Sequence, residues 1–367
     1  MSHHQYMARA IALAKRGLYT ADPNPRVGCV IVKSGQIIGE GYHRKAGEGH
    51  AEVNALAMAG EKAKDATAYV TLEPCSHFGR TPPCSEGLIA AGVRHVVCAM
   101  KDPNPQVSGR GFAKLKSAGI DVTVGILEEQ ARELNPGFIK RMEAGMPFVR
   151  LKMATSLDGR TAMQSGESQW ITGPQARQDV QRLRARSSAI VTGIGSIKLD
   201  DSSLTVRADE LGLDDEWAKE AAAQQPIRVV LDSQGQISAD AKILKQSGET
   251  LLAVTKGVEL EAGIEAIQLD QAANGLDLTQ LLKILAEKQC NEVLVETGAT
   301  LAGEFVRQGL VDEMVLYMAP CFMGSDARPL LQWPMTQMAE KQNLKIIENR
   351  MVGNDIRLTL VFEEQSN

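Results

Sequence analysis

The sequence predicts an α/β protein made of two successive domains, each a β-sheet layered with helices. Three observations carry that expectation. The chain has 367 residues, and globular domains run to roughly 100–200 residues each. Strand-like apolar runs alternate with segments whose apolar residues recur at helical spacing, the pattern of layered α/β folds with mostly parallel sheets. The charge balance also changes along the chain: residues 1–145 hold 18 Lys and Arg against 14 Asp and Glu, a net of +4, and the remainder carries a net of −9.

The first domain is assigned to residues 1–146. Residues 7–16 have helical spacing and stop at Gly17. DPNP (22–25) is turn chemistry, and it recurs at 102–105 as a shared turn preference. VGCVIVK (27–33) and QIIGEGY (36–42) flank Ser34-Gly35 and read as a hairpin. Residues 51–59 form a helix that ends at Gly60, ATAYVTLE (66–73) a strand, and residues 84–91 a short helix ending at Gly92. HVVCAM (95–100) is a strand, 112–118 a helix and VTVGIL (122–127) a further strand.

The second domain, 147–367, opens with the strand FVRLKMA (148–154). Residues 174–186 are a helix with proline in its first turn, where the missing N–H costs nothing. SAIVTG (188–193), PIRVVLD (226–232) and ETLLAVT (249–255) are strands. Residues 278–289 are a helix with Asp277 placed to cap it. EVLVE (292–296) is a strand, 301–308 a helix and DEMVLYMA (312–319) a strand. The acidic, Ala-rich stretch 208–225 reads as a solvated insertion.

Composition narrows the function class. With 44% hydrophobic and 23% charged residues the chain is ordinary for a globular protein, and 4% aromatics leaves cores of Ala, Val, Ile and Leu. A net charge of −5 argues against a dedicated nucleic-acid binder. A mildly basic first domain suits a small phosphorylated substrate. No apolar run approaches the ~18 residues of a membrane span, and the N-terminus has no leader pattern. The six cysteines are sparse, and Cys29 and Cys98 sit in strand-like apolar runs, so they are not a disulfide framework. The expectation is a cytoplasmic protein.

Two words carry chemistry: GHAEV (49–53) and TLEPCSHFGRTPPC (71–84). The zinc-deaminase signature is H-x-E followed by P-C and a second cysteine. His50, Cys75 and Cys84 supply three ligands, and catalytic zinc keeps its fourth position for water. Glu52 supplies the carboxylate that carries protons without binding the metal. Pro82 and Pro83 stand where they can start a helix at Cys84, and a helix start favours a thiolate. A purely structural zinc would want a fourth protein ligand, for which His43 and His77 are candidates.

With PNPRVGCVIV (23–32), GEGYHRKAGEGHAEVNAL (39–56), TLEPCSHFGRTPPC, LKMATSLDGR (151–160), SGESQWIT (165–172), LDDSSLTVR (199–207) and VETGATLAGEF (295–305) in order, the chain resembles the bifunctional riboflavin-biosynthesis deaminase–reductases. The eight residues between Cys75 and Cys84, long against the common C-x-x-C, are that family's own spacing. The resemblance implies a cytidine-deaminase-like three-layer α/β/α domain followed by a dihydrofolate-reductase-like α/β domain. It implies one zinc ion per chain and NADPH, and a homodimer formed through the reductase domain. The first domain would deaminate 2,5-diamino-6-ribosylamino-4(3H)-pyrimidinone 5′-phosphate, and the second would reduce the ribosyl chain to ribityl.

Residue by residue, the resemblance places the pyrimidine and its ribose phosphate against Asn24, His43, His77, Arg80, Asp102 and Asn104. NADPH falls to Ala154, Trp170, Ser196, Asp200 and the run Gly298, Ala299, Thr300, Leu301, Ala302, Gly303 and Glu304. The reductase substrate falls to Ser168, Arg184, Leu204, Arg207 and Glu296, with Lys152 and Asp158 in the same matched segment as candidate proton donors. Lys198 replaces the third glycine of a G-x-G-x-x-G loop, so a dinucleotide-binding Rossmann unit is not expected. Two other readings are carried: a nucleic-acid-editing zinc deaminase with an appended binding domain, and a non-enzymatic zinc-stabilised regulator.

Overall fold

The computed structural model describes residues 1–76, 82–260 and 264–363. The chain divides into two compact units, Met1–Met146 and Pro147–Asn367.

The first unit runs α1 (His3–Ala14), β1 (Gly28–Lys33), β2 (Gln36–Tyr42), α2 (Ala51–Ala59), β3 (Thr67–Val70), α3 (Cys84–Ala90), β4 (His95–Cys98), α4 (Arg110–Ser117), β5 (Asp121–Val124), α5 (Glu128–Leu134) and α6 (Pro136–Ala144). Its sheet has the order β2-β1-β3-β4-β5. The strand β1 is buried on both faces, and its alternating side chains separate two cores. Val30 and Val32 join Met7, Ala10, Leu134 and Phe138 on one side, and Cys29 and Ile31 join Ala51, Ala55, Leu88 and Leu115 on the other. The unit is therefore three layers deep.

The expectation of a mostly parallel sheet needs correction here. β1 pairs antiparallel with both β2 and β3, and only β3-β4 and β4-β5 are parallel. The Ser34-Gly35 turn reverses the chain, with both residues at positive φ (51° and 79°) as a two-residue hairpin demands. As a consequence β2, β3 and β4 run in the same direction. Their carboxyl ends share one edge, where α2 starts and where the segments leading into α3 and α4 lie. Ser2 and Gln5 form a capping box that starts α1 four residues before the spacing suggests. The sequence reading missed α5 and α6. Asn135-Pro136 divides them, with proline at the first position of α6 and Gly145 ending it in the left-handed region.

The second unit contains β6 (Phe148–Ser156), β7 (Arg160–Ala162), α7 (Pro174–Ala185), β8 (Ala189–Gly193), α8 (Ile194–Asp200), α9 (Asp215–Ala223), β9 (Ile227–Leu231), β10 (Thr250–Thr255), β11 (Ala266–Leu269), β12 (Gln271–Ala272), β13 (Gly275–Leu276), α10 (Leu278–Glu287), β14 (Glu292–Glu296), α11 (Ala299–Arg307), β15 (Glu313–Ala319), β16 (Arg328–Pro329), β17 (Leu344–Val352) and β18 (Asp355–Phe362). Nine strands form one sheet in the order β11-β10-β9-β8-β14-β6-β15-β18-β17. It is parallel as far as β15, where the C-terminal hairpin adds two antiparallel strands. The central strand β14 is buried along its whole length. The Asp277 side chain caps α10 by accepting from the N–H of Gln280.

Residues 208–225 are not a solvated insertion. A 3₁₀ turn (Ala208–Glu210) and α9 occupy them, Leu211, Ala218 and Ala221 are buried, and Asp214 caps α9 through the Trp217 N–H. The Gln225 side chain accepts from the N–H of Val206 and donates to its carbonyl (2.9 Å each), fastening the end of the segment. No helix among the described residues is long and apolar enough to cross a membrane.

Candidate functional site

His50 is the N-cap residue of α2, Glu52 lies in its first turn, and Cys84 is the first residue of α3. Small residues fix α2 in place. A Cβ on Gly41 would stand 2.3 Å from the Ala51 carbonyl oxygen and 2.5 Å from the Ala55 nitrogen, and one on Gly39 would stand 2.3 Å from the Ala55 oxygen. Only glycine at both positions lets β2 touch the helix backbone. Cys75 lies on the segment that leaves β3, where its sulfur accepts from the Cys84 N–H at 3.2 Å and its carbonyl from the Ser85 N–H at 3.2 Å.

The ligand atoms of His50, Cys75 and Cys84 all lie within 4.8 Å of one another, the one such group of three among the described residues. His50 Nδ1 is 3.2 Å from Cys84 Sγ and 3.6 Å from Cys75 Sγ. Zinc bonds of ~2.3 Å to sulfur and ~2.0–2.1 Å to nitrogen imply tetrahedral edges of roughly 3.5–3.8 Å. The donor set and its spacing therefore fit a zinc ion with one position left over. His43 is not a fourth ligand: its Nδ1 faces the Gly49 carbonyl (3.3 Å), its Nε2 faces Asn24 Nδ2 (3.1 Å), and its ring stands edge-on to that of His50.

The electrostatics suit metal chemistry. The Cys84 hydrogen bond lowers the Cys75 thiol against the opposing effect of burial, while that same bond and burial raise Cys84. The Cys75 hydrogen bond raises His50. Glu52 is buried, and burial first, then the Cys75 charge, push its carboxyl up to about 7. A carboxyl poised between its two forms near neutral pH is what a proton carrier needs.

His43 stands against His50 and meets Asn24, while Asp102 and Asn104 lie on a loop fastened to Glu73, two residues before Cys75. Burial lowers the His43 pKa, so the ring is neutral and holds the Asn24 amide. Asp102 Oδ1 accepts from the Asn104 N–H (2.8 Å) and Asn104 Oδ1 from the Gln106 N–H (3.0 Å), shaping the loop. His77 and Arg80 lie outside the described residues. The sequence reading missed Glu73. This buried carboxylate accepts from the N–H groups of Asp102 (3.2 Å), Gly109 (2.9 Å) and Gly111 (2.9 Å), and so ties the 102–109 loop and the start of α4 to the segment that carries Cys75. Its signal was its place inside TLEPC, beside a ligand.

In the second unit, charged groups collect at the carboxyl ends of β6 and β14. Lys152 and Glu296 are direct neighbours across these strands. Arg184 of α7 grips Glu296 with two bonds, Nε to Oε1 at 2.6 Å and Nη2 to Oε2 at 2.9 Å, and Nη1 reaches the Thr205 carbonyl at 3.3 Å. Burial would raise Glu296, but Arg184 and Lys152 outweigh it and hold the carboxyl low. Burial lowers Lys152 against the pull of Glu296. Arg184 is thus committed to Glu296, and the fork that faces outward is Arg207's, which engages Glu210.

Asp158 holds a loop. It accepts from the Ser156 hydroxyl (2.5 Å) and from the Gly324 N–H (2.8 Å), and these bonds, led by that of Ser156, lower its carboxyl to about 2. A group so acidic is a poor proton donor, which leaves Lys152 the better candidate. Ser168 donates to Asp200 at 3.3 Å. Trp170 is 69% exposed, with the Arg177 guanidinium 4.5 Å above its ring. Leu204 has its side chain in the core, so only its backbone is open to a ligand.

The neighbouring strands β8 and β14 each lead through a glycine N-cap, Gly193 and Gly298, into a helix that no side chain caps. Ser196 follows the first, and Ala299, Thr300 and Leu301 follow the second. The uncapped N–H groups at these two starts fit a pyrophosphate. Ala154 lies near the end of β6. Ala302, Gly303 and Glu304 lie further into α11. Gly303 backs onto the Gln332 carbonyl, where a Cβ would stand at 2.5 Å, and Glu304 pairs with Arg307.

Comparison with known proteins matches residues 1–100 to the cytidine and deoxycytidylate deaminase zinc-binding region and residues 147–358 to the RibD C-terminal domain. The riboflavin biosynthesis protein RibD of Escherichia coli K12 is 53% identical over 368 residues, covering 98% of this chain and all of the relative. The solved structure of Acinetobacter baumannii RibD superposes with a TM-score of 0.92 at 49% identity, covering 99% of each chain. A diaminohydroxyphosphoribosylaminopyrimidine deaminase/5-amino-6-(5-phosphoribosylamino)uracil reductase from Thermotoga maritima superposes at 0.85 with 31% identity and 98% of each chain covered.

Proposed function

Since the chain belongs to the RibD family of bifunctional deaminase–reductases of riboflavin biosynthesis, we propose that residues 1–146 deaminate 2,5-diamino-6-ribosylamino-4(3H)-pyrimidinone 5′-phosphate and residues 147–367 then reduce the ribosyl side chain. The observation that carries the reading is the convergence of His50, Cys75 and Cys84 beside the buried Glu52.

His50, Cys75 and Cys84 would hold one zinc ion, which would supply the charge that lets a water lose a proton near neutral pH and become a nucleophile for the ring carbon bearing the amino group. Glu52 would take a proton from the attacking water and give it to the ring nitrogen, then pass the proton of the new hydroxyl to the amino group, so that the carbonyl forms as the C–N bond breaks and ammonia leaves. Asn24, held by His43, reads the pyrimidine edge with a donor and an acceptor. Asp102, Asn104, His77 and Arg80 address the ribose phosphate.

NADPH bound in the second unit would supply the hydride. The helix starts at Gly193 and Gly298, with Ala154, Trp170, Ser196 and Asp200, would hold it. Lys152 donates the proton to the ribose oxygen that opens, and Glu296, fixed by Arg184, orients Lys152 and the sugar hydroxyls. Ser168 and the Leu204 backbone line the sugar, and Arg207 takes the phosphate through its fork. The enzyme works in the cytoplasm as a homodimer through the reductase unit. The edge strand β17 supports this, because it exposes Leu344, Ile346, Ile347 and Met351.

A paired assay tests the order of steps. With the diaminopyrimidinone substrate, ammonia appears without NADPH, and NADPH is oxidised only after ammonia release. Ammonia release with no NADPH oxidation would reassign the second unit. The absence of both events in a zinc-loaded sample would overturn the reading.

A further inference from the structure

Arg207 does not wait with an empty fork. Its Nε and Nη2 bond the two carboxylate oxygens of Glu210 at 2.6 and 2.5 Å. Glu210 comes from the 3₁₀ turn that opens the 208–225 segment, a stretch to which the sequence assigned no role. The pair is held from behind by Gln181 of α7, itself buried. Gln181 Nε2 donates to Glu210 Oε2 (3.1 Å) and Oε1 accepts the Arg207 N–H (3.2 Å). One turn along the same helix, Arg184 grips Glu296 and the Thr205 carbonyl. The segment is therefore fixed at both ends of the Arg207–Glu210 pair, while the pair itself is about 40% exposed, at 42% and 41% for the two side chains.

The charges form one group. Lys152, Arg184 and Arg207 face Glu296 and Glu210, a net of one positive charge; without Glu210 it would be two. A guanidinium fork that spans the two oxygens of a carboxylate spans two oxygens of a phosphate monoester equally well. Glu210 thus already sits where a phosphate would bind. A phosphate monoester, with about 1.5 to 2 negative charges, can displace a singly charged carboxylate, whereas a singly charged anion gains nothing by the exchange.

We propose that Glu210 is a resident competitor for the Arg207 fork, which the substrate's phosphate must displace, and that it thereby sets the affinity and selectivity of the reductase site for phosphate monoesters. This rests on reading Arg207 as the contact for the substrate phosphate.

The test uses the full-length zinc-loaded enzyme in the NADPH-dependent half-reaction with the deaminated ribosyl phosphate, and inorganic phosphate as competing anion. Glu210→Gln keeps the shape and the Gln181 contact and removes the charge. Its KM and its inhibition constant for inorganic phosphate should both fall about two- to fivefold at low salt, the scale of one exposed ion pair. The gain should shrink as added salt screens the site. Tighter binding is not an outcome that damaged folding produces, and Glu210→Ala should move in the same direction. Arg207→Met should raise KM and relieve phosphate inhibition, and in that background Glu210→Gln should have no further effect. If Arg207→Met weakens binding but Glu210→Gln leaves both constants unchanged or raises them, the competitor role is wrong and the phosphate reading of Arg207 stands. If Arg207→Met changes neither constant, the phosphate reading itself falls, and the competitor role with it.

Discussion

The two sites of this chain are built in opposite ways. The candidate metal centre draws its three donors and its proposed proton carrier from positions 50–84, as neighbours of helix starts at one sheet edge. The charged group of the second unit draws Lys152, Arg184, Arg207, Glu210 and Glu296 from strands, a helix and a turn segment far apart in sequence, and its members are chiefly engaged with one another. The first site is a set of donors waiting for an ion. The second is a set of charges already balanced, which a substrate has to rearrange. The difference teaches where sequence reading is strong: a locally clustered donor set announces its chemistry, and a distributed set of charges hides its pairings.

The sharpest way to break the comparison is Glu52→Gln. It removes the proton carrier and leaves all three ligands, so zinc content should stay at one per chain while ammonia release falls by about 10²–10⁴-fold, the usual worth of a positioned acid–base group. The second half-reaction, supplied with deaminated substrate, should continue. Metal analysis beside both assays checks this. Zinc-replete protein that still deaminates would mean that Glu52 is not the carrier.

How much was legible follows the same division. The hairpin at Ser34-Gly35, the helix at Ala51–Ala59, the Asp277 cap and the strand Glu292–Glu296 could all be read because turn residues, caps and short apolar runs are local. The direction of β2 relative to β4 could not, since strand pairing is long-range. α9 was misread because its buried face is alanine, which gives little hydrophobic signal in an acidic stretch. The C-terminal hairpin was missed because eight of the nine residues of β17 are exposed, so no alternation marks it. At the candidate metal centre the three donors that converge were readable, and their supports were not: neither the Gly41 contact with α2 nor the Glu73 bonds leave a pattern in one sequence.

A second probe acts on the balanced site. Arg184→Met leaves Glu296 buried with its main partner gone, and breaking one side of a buried pair costs about 3–5 kcal/mol. The unfolding midpoint of the second unit should drop accordingly, and reduction should be lost. The same pair gives a pH signature. Because the Glu296 carboxyl is held below its ordinary value, its contribution is complete above about pH 4.5, its ordinary value, and is lost as pH falls through the folded value. Denaturation followed from pH 7 downward should therefore be flat to about pH 5 and then weaken. Glu296→Gln should flatten the acid limb, and an unchanged limb would place the acid sensitivity elsewhere.

The smallest effect belongs to Glu73, and it asks whether the first site is as self-contained as its spacing suggests. The 102–109 loop, with Asp102 and Asn104, hangs on the Glu73 carboxylate through the N–H groups of Asp102 (3.2 Å) and Gly109 (2.9 Å), and the start of α4 through that of Gly111 (2.9 Å). Gly111 presses so close that a Cβ there would stand 2.1 Å from the Pro74 carbonyl. In Glu73→Gln an amide NH₂ replaces one acceptor oxygen and meets an N–H donor head-on, so one anchor becomes repulsive while the fold keeps its volume. The ligands do not depend on that carboxylate, so zinc content should hold. The loop that would address the ribose phosphate should loosen, raising KM for deamination severalfold with a smaller change in kcat. Loss of zinc together with activity would instead mean that Glu73 supports Cys75 directly. The metal centre would then share with the second site a reliance on a buried charge that is tied to distant parts of the chain.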